Sequence, residues 1–138
     1  MSMLPSGLPA HVADDETLAR FITSSSHMNS MGVKPVAFLP NPQNGETSVF
    51  RHGKTPEDQL WAIGQAVVAG SGRNIHGAAF VLTGDVRNET PSVVASEPPE
   101  RHANIGNWPS EADLALQKAH QVKIAMRLAE KSDLIRSP

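Results

Sequence analysis

The sequence predicts an α+β domain: a small mixed or antiparallel sheet of about four strands, with a long C-terminal helix and one or two further helices packed on it. Three observations carry that expectation. Short apolar or β-branched runs at 33–39, 48–51, 78–82 and 92–95 are each flanked by turn-forming residues. Helical periodicity is clear at 56–69 and again from about 111 to about 131. The length of 138 residues is that of one domain able to bury a core.

Residues 1–13 read as a flexible tail, since two prolines, a glycine and no periodicity leave nothing to pack. The globular part then spans 14–138. Asp14, Asp15 and Glu16 precede Leu18, Ala19, Phe21 and Ile22. Acids ahead of that spacing predict a short helix over 15–22. The serines and asparagine of 24–30 favour a loop, because their side chains compete for backbone hydrogen bonds. Val33 to Leu39 reads as a strand, with Pro35 at its start or on a sheet edge because proline cannot donate to a ladder. Asn44-Gly45 is a strong turn pair, so 33–39 and 48–51 are expected to pair as an antiparallel hairpin.

Thr55, Pro56, Glu57 and Asp58 mark a helix start: a capping hydroxyl, a proline suited to the first turn and two carboxylates at the positive end. Leu60, Ile63 and Val67 follow at helical spacing, with Trp61 and Val68 widening the stripe, and Gly70-Ser71-Gly72 stops the helix. Ala78 to Leu82 is expected to be a strand, 85–90 a turn and Ser92 to Ala95 a further strand. The stretch from Pro98 to Pro109 reads as a proline-bracketed loop. Ser110-Glu111-Ala112-Asp113 has the form of a capping box opening the last helix. Ala115, Ala119, Val122, Met126 and Ala129 line one side of that helix and are expected on the sheet. Ile124 and Leu128 lie opposite and are expected to meet the N-terminal helix or a partner.

Composition narrows the function classes. Cysteine is absent, which excludes disulfides, thiolate catalysis and cysteine-based zinc sites and suits a cytoplasmic protein. No run of 18 apolar residues spans a membrane, and the first residues lack the basic start and apolar core of a secretory signal. A net charge of −2 is not the footprint of a nucleic-acid binder. The six histidines form neither His-x-His nor His-x-x-x-His, so no metal site is expected. No cofactor is expected either: Gly70-Ser71-Gly72 matches neither a Walker loop nor a full dinucleotide fingerprint.

Recognition chemistry concentrates in Arg101, His102, Asn104 and Trp108. If Arg51 and His76 converge with Arg101 and His102, two guanidinium forks and two imidazoles would suit a phosphate-bearing ligand, with His102 or His76 moving a proton. The alternative is solvated side chains scattered over separate loops. Trp108 either stacks on a ligand or packs its loop onto the body, whereas Trp61 belongs to a core stripe. Ser24-Ser25-Ser26-His27 lacks the Gly-x-Ser-x-Gly elbow of a serine hydrolase.

Arg101-His102-Ala103-Asn104-Ile105 followed by Trp108-Pro109 resembles a loop shared by a group of small bacterial and phage proteins. The likeness extends to Leu18-Ala19-Arg20-Phe21, Ser24 to His27, Val33-Lys34-Pro35, Phe38-Leu39-Pro40 and Ser48 to Arg51. It implies a bacterial or phage origin and no particular activity. His102-Ala103-Asn104-Ile105 is also similar to the His-Pro-Asn-Ile motif of ubiquitin-conjugating enzymes. Alanine replaces the proline here and no cysteine is present to carry a thioester.

Three functions follow as expectations. The first is a binding or adaptor module that uses the 98–109 loop and the Ile124/Leu128 side of the last helix for a protein partner or a second copy. The second is an enzyme or binder for a phosphate-bearing ligand through Arg51, His76, Arg101 and His102. The third is nucleic-acid binding through Lys118, Lys123, Arg127, Lys131 and Arg136.

Overall fold

A computed structural model describes residues 3–52, 56–89 and 91–138, and among these residues eight strands and three α-helices form. In order they are β1 (Thr17–Ile22), β2 (Met28–Asn29), β3 (Gly32–Val33), β4 (Thr47–Arg51), α1 (Glu57–Val68), β5 (Gly77–Leu82), α2 (Thr83–Arg87), β6 (Ser92–Ala95), β7 (His102–Gly106), α3 (Leu114–Lys131) and β8 (Asp133–Arg136). Single 3₁₀ turns occupy Ser25–His27 and Pro35–Phe38. The main sheet has six strands in the order β6-β7-β4-β1-β5-β8, and every pairing in it is antiparallel. The α+β class is as expected, with six strands in the sheet rather than about four.

Both faces of the sheet are covered. Side chains alternate along a strand, so neighbours in sequence enter different layers. Leu18, Ile22, Val49, Ala79, Val81, Ala103 and Ile105 face a core closed by Val86 of α2 and by Ile124, Ala125 and Leu128 of α3. Ala19, Phe21, Phe50 and Ala78 face a second core closed by Leu60, Trp61 and Val68 of α1. This two-sided burial explains why the first element differs from expectation. A central strand apolar on both faces has the same residue pattern as a short buried helix, and only pairing separates them. Thr17–Ile22 pairs with β5 along its whole length, from Thr17↔Leu82 to Ile22↔Gly77. The expected helix over 15–22 is therefore a strand.

Other expectations change for identifiable reasons. The expected strand at 33–39 is a two-residue strand followed by a 3₁₀ turn begun by Pro35. Proline's fixed φ and missing N–H suit the first turn of a helix. No hairpin joins 33–39 to 48–51, although the Asn44-Gly45 turn forms, with Gly45 at φ 70° and its N–H on Asn41 O at 2.7 Å. The expected turn at 85–90 contains most of α2, anchored by the buried Val86; Thr90 lies outside the described residues. The 98–109 loop is only partly a loop, because His102–Gly106 pairs with both β4 and β6. β8 has no counterpart in the expectation.

Pro56 serves as the N-cap of α1 rather than its first residue, and the expected cap Thr55 lies outside the described residues. The last helix is capped by Asp113, whose Oδ1 accepts from Ala115 N at 2.9 Å and Leu116 N at 3.2 Å, and not by Ser110. Its orientation also differs from expectation. Ile124 and Leu128 are buried on the sheet, at 5% and 0% exposure, while Met126 of the alanine side is exposed. The bulkier pair buries more apolar area, and that decides which side turns inward.

The N-terminal residues find partners too, against the expectation of a tail with nothing to pack. Val12 is buried in the first core. Pro9 O accepts from Arg51 Nη1 at 2.7 Å, and the Ser6 hydroxyl donates to Glu97 at 2.5 Å. Arg51 itself is fully buried, with Nε and Nη2 each 2.8 Å from a Glu16 oxygen. None of these contacts between distant residues leaves a mark on local sequence.

Candidate functional site

A gap between two strands makes the site. β1 and β4 pair at Leu18↔Arg51 and Ala19↔Phe50, while β1 stays paired with β5 to its end. β4 carries on toward Thr47 paired only with β7, which leaves its carbonyls unused on the β1 side. Arg20 fills that opening. Its Nε donates to Ala37 O at 2.7 Å and its Nη1 to Ser48 O at 2.9 Å. Among the described residues no carboxylate pairs with Arg20, and Nη2 has no acceptor. A guanidinium half-withdrawn from water without a counter-ion is electrostatically costly. Burial, and then the Arg73 cation nearby, lower its pKa to about 10.

A cleft of about 480 Å³ opens over this arginine. Arg73 enters it from the loop after α1, where Gly70 and Gly72, both at φ 77°, reverse the chain. Asn41, Asn104 and Ser48 supply neutral polar groups, and Phe21, Phe50 and Ile75 supply an apolar wall. Glu46 also lines the cleft, on the stretch of chain that leads into β4. The volume suits a small molecule, and polar groups converging on an apolar wall are typical of such sites.

Ser48 has a second neighbour. Ser48 pairs with Asn104 and Phe50 with His102, so all four side chains share one sheet face. His102 Nε2 lies 2.6 Å from Ser48 Oγ, and its Nδ1 lies 2.9 Å from Ser96 O. A carbonyl carries no hydrogen, so Nδ1 must be the donor in that contact. The neutral ring then has its lone pair on Nε2, aimed at the Ser48 hydroxyl. Phe50 packs edge-on against the ring at 5.2 Å and restricts its rotation.

The four residues expected to converge do not. Arg51 and Arg101 are neighbours, but both are committed to the protein: Arg101 donates to Arg51 O at 2.6 Å and to His52 O at 2.9 Å. Arg101 also holds a φ of 67°, which marks it as the turn residue ending the β6–β7 connection. Burial and the Arg51 charge hold its pKa down. His76 is at the far end of the β1–β5 ladder. Arg51 stands beside Leu18 and thus Val81, five residues along β5 from His76. That is about 16 Å of strand. His102 turns to Ser48 and Ser96. Of the expected ligand residues only Asn104 lines the cleft. Trp108 is buried at 7% exposure, with Nε1 donating to Ile105 O at 3.2 Å, so it pins the chain and offers no stacking surface.

The expected basic row is partly neutralised. Arg127 and Lys131 pair with Glu89, and Arg136 Nη2 donates to Asn29 O at 3.0 Å. Ser24 Oγ bonds Ser26 Oγ at 2.8 Å rather than His27. Arg20, Arg73 and Ser48 were not among the expected site residues. Arg20 had a legible signal, a lone cation inside the apolar run Leu18 to Ile22. Ser48 had none, since 54 residues separate it from His102.

No family model, curated protein or solved structure matches this chain. Its function rests on the geometry of its own residues.

Proposed function

We propose that the protein is a binding module for a small anionic ligand, phosphate-bearing by preference, held in the cleft between β1 and β4. The observation that carries this is Arg20: a half-buried guanidinium, tied to two main-chain carbonyls and ion-paired with no carboxylate among the described residues, with Arg73 beside it. Two cations held close together repel each other, and an anion relieves both that repulsion and the desolvation of Arg20. Phosphate or carboxylate geometry also matches the guanidinium fork.

Arg73 is exposed, so it is the clean handle. Calorimetric titration with inorganic phosphate, pyrophosphate and succinate should show saturable binding of at least one anion. Arg73→Ala should weaken it about tenfold, the equivalent of about 1.4 kcal/mol, without lowering the melting temperature. Binding that ignores Arg73, or none of these anions binding at millimolar concentration, would sink the reading.

A second reading, contact with another protein through the outer side of α3, has its own observation. Leu114 is 73% exposed at the start of the helix, and Leu116 and Met126 are 45% and 46% exposed on the sides turned away from Ile124 and Leu128. If that surface joins two copies, Leu114→Lys with Met126→Lys should shift the mass measured by light scattering toward the monomer. An unchanged mass would remove self-association through α3.

A further inference from the structure

We propose that Ser48 and His102 form a nucleophile and general-base pair that cleaves carboxylic esters bearing an anionic group. The anion subsite in this proposal is the Arg20/Arg73 cleft, so substrate choice rests on the preceding reading, while the Ser–His chemistry stands on its own contacts. A serine hydroxyl becomes a nucleophile when a base within hydrogen-bond reach accepts its proton and a third group orients that base. All three parts are present. Ser48 Oγ and His102 Nε2 are 2.6 Å apart, and the Ser96 carbonyl, 2.9 Å from Nδ1, selects the tautomer that leaves Nε2 free to accept. In a familiar triad a carboxylate does the orienting. A main-chain carbonyl fixes the same tautomer without a negative charge to stabilise the imidazolium.

The surroundings suit the chemistry. Ser48 lines the cleft, so a ligand seated there lies against the residue that carries the hydroxyl. Arg20 binds the carbonyl of Ser48 itself, which places a cation on the main chain of the nucleophile's own residue. Asn104, the register partner of Ser48, lines the same cleft and offers an amide N–H to a developing oxyanion. The pair bridges β4 and β7, whose ladder pairs Ser48 with Asn104 and Phe50 with His102, so its spacing is held by that register.

The steps balance without a further reactant. Ser48 Oγ bonds to the ester carbonyl carbon while its proton passes to His102 Nε2. The bond from that carbon to the alcohol oxygen breaks, and the imidazolium returns the proton to the departing alcohol. Water then attacks the acyl-serine, giving one proton to Nε2. Ser48 Oγ leaves as the carbon–oxygen bond breaks and recovers that proton. The net change is ester and water to acid and alcohol.

A fluorophosphonate probe tests the pair without knowledge of the natural substrate. The full chain is incubated with the probe and the adduct located by peptide mass mapping. Ser48 should be the modified residue, and Ser48→Ala should abolish labelling. His102→Gln should slow it about a hundredfold, the lower range for loss of a general base. In His102→Ala, added imidazole should restore part of the rate, which a merely structural histidine would not allow. Far-ultraviolet dichroism of each variant separates loss of chemistry from loss of fold. The wild type should also hydrolyse the 4-nitrophenyl monoester of succinic acid faster than 4-nitrophenyl acetate, and Arg73→Ala should remove that difference. No labelling of Ser48, or labelling unaffected by His102→Gln, overturns the proposal even if anions bind. Labelling of Ser48 with no anion binding overturns the cleft reading alone.

Discussion

Removing the Glu16 carboxylate should destabilise the protein more than removing its partner Arg51. Arg51 is 0% exposed and Glu16 17%, so the two are unequal once separated. Without Glu16, the guanidinium stays buried with only the carbonyls of Pro9 at 2.7 Å and His11 at 3.4 Å as acceptors. Breaking a buried pair this way costs about 3–5 kcal/mol, or about 10–17 °C in melting temperature for a domain of this size. Without Arg51, the Glu16 carboxylate can still reach water and keeps the Ala13 N–H at 2.7 Å. Methionine also fills much of the vacated space. Arg51→Met should therefore cost about 2 kcal/mol, the scale of a lost charged hydrogen bond with a partner able to rehydrate.

Urea denaturation of Glu16→Ala, Arg51→Met and the double variant measures both costs and their coupling. If Arg51→Met proves the more damaging single change, or the coupling is under about 0.5 kcal/mol, the asymmetry argument is wrong. The pH dependence provides a second check. Burial pushes the Glu16 carboxyl up, but hydrogen bonds from Arg51 and Ala13 and the charges of Arg51 and Arg101 outweigh it and hold the pKa below its ordinary 4.5. A folded-state pKa below the unfolded value stabilises the protein above the unfolded value. That stabilisation disappears as the pH falls through the folded value. Wild type should thus lose stability on acidification below about pH 4.5, and Glu16→Ala should lose less.

Three further outcomes follow. Gly64→Ala would place a Cβ 2.8 Å from Phe21 Cε1, a ring already held by Phe50 at 5.4 Å. Overpacking of about 2 kcal/mol should exceed the helix-propensity gain of about 1 kcal/mol, and a variant with a higher urea midpoint than wild type would contradict this. Asp113→Ala should cost about 1 kcal/mol through loss of the α3 cap, whereas Ser110→Ala should leave the melting temperature unchanged; the reverse result would restore the capping box read from the sequence. Arg101→Ala should lose about 2 kcal/mol of stability from its two charged hydrogen bonds to main-chain carbonyls while leaving anion affinity intact. Weaker anion binding at full stability would instead return Arg101 to the ligand site.

The strands at Ser48, Ala78 and Ser92, the α1 and α3 helices and the glycine stop after α1 were all legible in the sequence. Each is specified locally: by a short apolar run, by a stripe at 3.6-residue spacing, or by residues that tolerate a positive φ. The α+β class followed from their order. Tertiary structure decided everything that depends on pairing. Leu18, Ala19, Phe21 and Ile22 fit a helix and a two-sided strand equally well, and their place between β4 and β5 settles it. α1 covers one sheet face and α3 closes the other, and Ile124 and Leu128 turn inward there because they bury more apolar area than the alanine side. His102 and Asn104 stood out in the sequence as reactive side chains. Their partners Ser48, Arg20 and Arg73 lie far away along the chain, and strand register, not spacing, brings them together. Residue chemistry is written locally, but a site requires convergence, and convergence arises only when non-local strands pair.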